Sequence, residues 1–115
     1  MQRPEFEAIV ERALRRIPRA FRRRMQNLVI IVEEEGPPGL LGLYEGQPLV
    51  HRSVFDPYRF PDRIVIFQRP HEQLARNPRD LEELVYETLW HEIGHYFGLS
   101  ERAIRAAERR RRRST

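Results

Sequence analysis

Residues 91 to 101 read His-Glu-Ile-Gly-His-Tyr-Phe-Gly-Leu-Ser-Glu. His91 and His95 are four residues apart, so on an α-helix they lie one turn apart on the same face and can both bind one metal ion. Glu92 stands beside them, and a carboxylate in this place can take a proton from a water that the metal activates. The stretch therefore predicts a helix that carries a metal-dependent hydrolytic centre.

A third metal ligand is expected at Glu101, because a catalytic zinc usually has three protein ligands and one open position. Gly98 lies three residues after the second histidine. Glycine just beyond a helix end can adopt the left-handed conformation that turns the chain back towards the metal. In the alternative, Glu101 only begins the next helix, since Ser100 is a favourable N-cap and acidic residues favour the first turn.

The residues around the motif predict that both histidines lie on a long helix. Apolar residues recur at helical spacing from Leu81 to Phe97, and Asp80 is expected to cap this helix. Gly94 lies inside it, although a glycine there costs about 1 kcal/mol relative to alanine. A chance pair of surface histidines is the alternative interpretation, and the apolar spacing and the glycine both argue against it.

The rest of the chain predicts one helix and three strands ahead of the site helix. Pro4 opens a helix with an apolar stripe. A run rich in Val and Ile predicts a strand over residues 27–33, and further apolar runs predict strands over 40–44 and 63–67. Residues 46–62 predict a loop that shapes the cleft wall. This order indicates a small single-domain α+β fold, in which a sheet of about three strands packs on the site helix between N- and C-terminal helices.

These segments resemble a known family, the bacterial minimal zincins, which are small zincin-like metallopeptidases. The resemblance rests on the motif of residues 91–101, on Leu-Leu-Gly-Leu-Tyr-Glu-Gly (40–46) and on Pro-Asp-Arg-Ile-Val-Ile-Phe (61–67). The longer pattern is also similar to that of metzincins, but the chain departs from it. Residue 101 is glutamate instead of histidine, and both methionines precede the motif, so a Met-turn cannot follow it.

The resemblance implies a zincin-like fold and the hydrolysis of peptide bonds. It implies Zn²⁺ bound by His91, His95 and Glu101, with Glu92 as the general base. Zincins of the thermolysin type take a glutamate from a later helix, which makes Glu108 a competing third ligand. We favour a surface pair of Glu108 with Arg112 instead, because the neighbouring arginines are a poor setting for a metal ligand.

In zincins, an edge strand above the metal binds an extended peptide through main-chain hydrogen bonds. Residues 40–45 are the candidate here, and the expected substrate-binding residues are Leu41, Gly42, Leu43 and Tyr44. A plain buried strand is an equal alternative. Tyr44 and Tyr58 are also candidate donors to an oxyanion, although a structural role is favoured for both. His51 and His71 are expected to be surface residues.

Three functions remain open at this stage. The leading one is a zinc-dependent peptidase that acts on a peptide or protein substrate. A metal-dependent RNA hydrolase is the second, but proteins with that similar motif generally lack a glutamate in the place of Glu92. The third is a non-catalytic module in which zinc stabilises a small core and the basic tail binds a partner.

The basic residues are unevenly distributed along the chain and are concentrated at its C-terminal end. The 21 basic residues are all arginine, and five of them occupy positions 109–113. Residues 1–108 therefore carry a net charge of −1 against +4 for the whole chain, which predicts a domain over 1–108 and an arginine-rich tail over 109–115. Binding of nucleic acid or an anionic surface by this tail is disfavoured against a solvated helix end.

The N-terminal residues are charged where a signal peptide would be apolar, and no apolar run is long enough to span a membrane. The chain also contains no cysteine, which excludes disulfides and thiolate metal ligands. We expect a cytoplasmic protein without a membrane span.

Overall fold

The computed structural model describes residues 1–46 and 60–113, except for the side chains of 111–113. The elements are α1 (Arg3–Arg15), α2 (Arg19–Arg22), β1 (Leu28–Glu33), β2 (Gly42–Glu45), β3 (Asp62–Phe67), α3 (Gln68–Leu74), α4 (Pro78–Tyr96) and α5 (Glu101–Arg113). The predicted α+β class is confirmed. Most of the predicted loop 46–62 lies outside the described residues.

The described strands form one sheet in the order β1-β3-β2. β1 pairs with β3 in parallel, and β2 pairs with β3 in antiparallel orientation, with Leu43 opposite Val65. β3 is the central strand and its apolar residues are buried, as expected for a strand covered on both faces. β1 begins one residue later than predicted, because Asn27 adopts a left-handed backbone with φ 54°.

Helix α4 lies at the centre of the fold, because it packs against α1, α3, α5, β2 and β3. The predicted apolar stripe of this helix is confirmed: Leu81, Val85, Leu89 and Ile93 all belong to the buried core. Each such side chain contributes about 1.5–3 kcal/mol when it leaves water. The core thus holds the helix that carries both motif histidines in a fixed position under the sheet.

The prediction that Asp80 caps α4 is wrong. Asn77 is the N-cap, and its side-chain oxygen accepts a hydrogen bond of 2.9 Å from the Asp80 amide. Pro78 takes the first helical position, where a missing N–H costs nothing because that amide has no helical partner. The helix therefore begins two residues before the expected cap.

The prediction that His71 is a surface residue is also wrong, because this residue lies on α3, a helix that the sequence pattern does not predict. Pro70 argues against a helix at this point, yet it falls in the first turn, where its missing amide is tolerated. His71 is completely buried. Its Nδ1 donates to the Phe67 carbonyl oxygen at 2.7 Å, and its Nε2 lies 2.8 Å from the Thr88 hydroxyl.

Two further features concern the ends and length of the helices. Helix α5 runs through the predicted boundary at residue 108 and ends at Arg113. In the described part of the chain, no helix has the length and apolar character needed to cross a membrane.

Candidate metal centre

The two motif histidines lie in the last turns of α4, as predicted. Their ring centroids are 5.3 Å apart. The helix ends in the expected glycine turn: Gly98 has φ 90°, and its amide donates to the His95 carbonyl at 2.9 Å. The amide of Leu99 donates to the Gly94 carbonyl at 2.9 Å, which completes the Schellman pattern. The chain therefore reverses direction directly after the second histidine.

Helix α5 begins at once after this turn and brings Glu101 back to the histidines. Ser100 caps the helix, because its hydroxyl oxygen accepts a hydrogen bond of 3.1 Å from the Ala103 amide. Glu101 Oε1 lies 2.7 Å from His91 Nε2 and 2.6 Å from His95 Nε2. Both interpretations of Glu101 thus apply, since it begins a helix and also faces the two rings.

The three side chains form a donor set that fits zinc. The potential ligand atoms of His91, His95 and Glu101 all lie within 4.8 Å of one another. Two imidazole nitrogens and one carboxylate oxygen are a common ligand set of catalytic zinc, which keeps a fourth position open. Both histidines are half-buried and Glu101 is exposed, so the group is accessible from solvent on one side.

The histidines and carboxylates of the group stabilise each other's charged forms, and this shifts their pKa values. The hydrogen bond from His91 lowers the pKa of Glu101 to about 2. Burial alone would lower the pKa of His91, but hydrogen bonds to Glu101 and Glu108 outweigh that effect and raise it. A histidine proton must leave before a metal can bind to that nitrogen. Metal binding to this group therefore competes with protons.

Glu92 lies one residue beyond His91 and is only 7% exposed. Burial raises the pKa of its carboxyl group, which the neighbouring histidines partly oppose. The main-chain amide of Tyr44 hydrogen-bonds to this carboxylate and also favours its charged form. The carboxylate is thus held between α4 and β2, beside the candidate metal ligands.

Strand β2 and helix α4 form the two walls of a cleft above this group. Gly42, Leu43 and Tyr44 line the cleft together with both histidines and Glu92, and Leu41 lines its continuation. The Leu41 carbonyl accepts a hydrogen bond of 3.0 Å from the Phe67 amide. Because main-chain groups alternate in direction along an antiparallel strand, those of Gly42 and Tyr44 face away from β3. All four predicted substrate-binding residues therefore border the cleft.

The Tyr44 side chain points to a different place. Its hydroxyl group donates to Asp62 Oδ2 at 2.6 Å, and Asp62 is buried. This contact agrees with the structural role that was favoured for Tyr44 over donation to an oxyanion. Tyr58, the other candidate donor, and His51 lie outside the described residues.

Glu108 makes a contact with His91 that differs from the surface pairing expected from the sequence. Its Oε1 lies 2.7 Å from His91 Nδ1, on the opposite side of the ring from Glu101. The side chain therefore occupies neither the position of a third ligand nor a purely solvated surface. Glu101 and Glu108 are seven residues apart, and this spacing places them on one face of α5, which is the only signal in the sequence for the contact.

Gly94 explains how α5 comes so close to α4. A Cβ atom built on Gly94 would lie 2.8 Å from Ile104 Cγ1 and 2.9 Å from Ile104 Cδ1. Ile104 is buried and sits on α5 between the two glutamates. The missing side chain of residue 94 thus allows α5 to dock at the distance that brings both carboxylates to His91.

Comparison with known proteins agrees with this architecture. A family model described as zincin-like metallopeptidase matches residues 23–111. A solved structure of a conserved hypothetical protein from Thermus thermophilus is similar, with 28% sequence identity and a TM-score of 0.55. The similarity covers 83% of this chain and 92% of that chain. No curated protein matches the chain.

Proposed function

This chain belongs to the zincin-like metallopeptidase family, and from this premise we propose that it is a zinc-dependent peptidase that hydrolyses peptide bonds. One observation supports the proposal above all others. Glu101 Oε1 lies within 2.7 Å of Nε2 of both motif histidines, and the buried carboxylate of Glu92 lies beside them.

In this proposal, His91, His95 and Glu101 hold the metal. Zinc, when bound there, supplies a Lewis acid that polarises the scissile carbonyl and increases the acidity of water. The Glu92 carboxylate accepts the proton of the attacking water and passes it to the leaving amine. Burial has already raised the pKa of Glu92, and a higher pKa makes a carboxylate a stronger base.

The substrate in this proposal is a peptide in extended conformation along β2. The main-chain groups of Gly42 face away from β3, in the direction from which a further strand would pair, whereas the Tyr44 amide on the same side is hydrogen-bonded to Glu92. Such pairing holds a peptide backbone with little dependence on its sequence. Leu43 lines the cleft and Leu41 lines the adjoining cavity, so both would be placed to contact side chains of the peptide. We also propose that the protein acts in the cytoplasm. Fractionation of the source cells tests this location.

The Glu92→Gln variant tests the catalytic part of the proposal. The amide is similar in size but cannot accept the proton, so we expect loss of peptide cleavage by at least about a hundredfold while zinc binding remains. Cleavage is measured with a library of fluorescence-quenched peptides. Glu83→Gln is the matched control, because Glu83 lies on the same helix but pairs with Arg16 at the surface.

The same experiment separates the alternatives. Undiminished peptide cleavage by purified Glu92→Gln protein would contradict the role of Glu92. Cleavage of single-stranded RNA by the wild type without cleavage of peptides would favour the RNA hydrolase. Zinc binding without turnover of either substrate would favour the non-catalytic module.

A further inference from the structure

The His91 ring contacts a carboxylate through each of its two nitrogen atoms. Nε2 lies 2.7 Å from Glu101 and Nδ1 lies 2.7 Å from Glu108. His95 differs, because among the described residues only its Nε2 has such a partner. The two histidines of the motif therefore differ in the number of carboxylates that contact them, and Glu108 is the additional contact of His91.

We propose that Glu108 is a positioning residue, which orients His91 and keeps its Nε2 available for the metal. This inference rests on the metal site of the proposed function. A neutral imidazole carries one N–H, and the nitrogen without it is the one that can bind a metal. A carboxylate on Nδ1 accepts that N–H, which selects the required tautomer and fixes the plane of the ring.

The surroundings of the contact suit this role. The side chains of His91 and Glu108 are 25% and 24% exposed, so water weakens their hydrogen bond only in part. The backbone of Glu108 has a fixed position, because the buried Ile104, one turn earlier on α5, packs against Gly94 of α4. One face of α5 thus supplies a metal ligand at Glu101 and the support of another ligand at Glu108.

The test is the zinc dissociation constant, measured by competition with a chromophoric chelator. Removal of a carboxylate that supports a metal-bound histidine typically weakens metal binding by about tenfold to a hundredfold, and we expect this loss for Glu108→Ala. Glu108→Gln should lose clearly less, because its amide oxygen can still accept the N–H of His91. Glu11→Ala is the charge-matched control, since Glu11 is exposed on α1, where it pairs with Arg15, and its loss should change affinity less than about twofold.

A second readout reports the tautomer directly. Long-range ¹H–¹⁵N spectra of the metal-free proteins should show a larger share of the Nδ1–H tautomer of His91 in wild type than in Glu108→Ala, because the variant keeps only the Glu101 acceptor at Nε2. Circular dichroism confirms that each variant is folded, and alanine is a good helix former at this position.

The outcomes distinguish this inference from the proposed function. Wild-type affinity in folded Glu108→Ala would overturn the positioning role and leave the proposed function intact. Equal losses in the alanine and glutamine variants would also overturn it, because charge and not orientation would then determine affinity. A wild type that binds no zinc would overturn both.

Discussion

His71 and His91 each have a partner at both ring nitrogens, yet their electrostatic surroundings are opposite. His91 faces two carboxylates, and these raise its pKa despite partial burial. His71 is buried and hydrogen-bonds to neutral groups, so desolvation lowers its pKa, while the hydrogen bond to the Phe67 carbonyl opposes the effect. The environment, and not the residue type, therefore decides which histidine is suited to carry charge.

The shift of His71 predicts how stability depends on pH. Its pKa is lower in the folded protein than the ordinary value near 6.5, so the unfolded chain binds a proton first as the pH falls. The stabilisation is complete above pH 6.5 and is lost as the pH falls towards the folded pKa. In chelator-treated protein, the free energy of unfolding should fall between about pH 7 and pH 5 more steeply for wild type than for His71→Gln. The free energies of unfolding are measured by urea titration at each pH. The same dependence on pH in wild type and in His71→Gln would contradict this assignment.

At the scale of elements, the site depends on the close packing of α4 against α5. Helix α4 supplies two ligands and the candidate base, whereas α5 supplies Glu101 and Glu108. The glycine turn after α4 sets the direction of α5, and the contact of Gly94 with Ile104 sets its distance. A change at this contact should affect the metal site although neither residue is a ligand.

A double-mutant cycle tests this packing. Gly94→Ala alone should destabilise the protein, because the new Cβ would lie under 3 Å from two atoms of Ile104. In the Ile104→Ala background those atoms are gone, so the same change should be neutral or stabilise by up to about 1 kcal/mol through helix propensity. The free energies of unfolding from urea titrations give the coupling. Additive effects would show that Ile104 does not require a glycine at position 94.

Local sequence patterns were sufficient to predict most helices and strands, but not the packing of these elements against one another. The spacing of apolar residues predicted α4, and short apolar runs predicted the three strands, although only those of β1 and β3 are rich in Val and Ile. The glycine turn that returns Glu101 could also be predicted, since it is a property of adjacent residues. Helix α3 was missed because Pro70 normally signals a break. The order β1-β3-β2 and the contact of Glu108 with His91 depend on tertiary packing, which no short window of sequence contains.

At the scale of the whole molecule, α1 packs on α4 through buried apolar residues and surface ion pairs. Arg12 and Arg16 both pair with Glu82, at 2.9 Å and 3.2 Å, and Arg16 also pairs with Glu83 at 2.8 Å. The hydrogen bond from Arg12 holds the pKa of Glu82 below its ordinary value. Exposed ion pairs contribute little each, so the buried apolar residues of α1 carry most of the attachment.

Glu82→Gln tests the size of this electrostatic contribution. We expect a loss of about 0.5–1 kcal/mol in the free energy of unfolding at low salt, because the Glu82 carboxylate forms ion pairs with two arginines. The loss should shrink in about 1 M NaCl, where exposed charges are screened within about 3 Å. Glu11→Gln is the control, since among the described residues Glu11 pairs with one arginine, the exposed Arg15. A loss for Glu82→Gln that is unchanged by salt would point to packing and not to charge.

The most direct test of the whole account is the number of zinc ions per chain, measured by elemental analysis after zinc loading and removal of free metal. We predict close to one zinc in wild type and in Glu92→Gln, and a clear loss in Glu101→Ala, because only the last change removes a ligand. A wild type without zinc, or a Glu101→Ala variant that retains it fully, would contradict a metal centre formed by His91, His95 and Glu101.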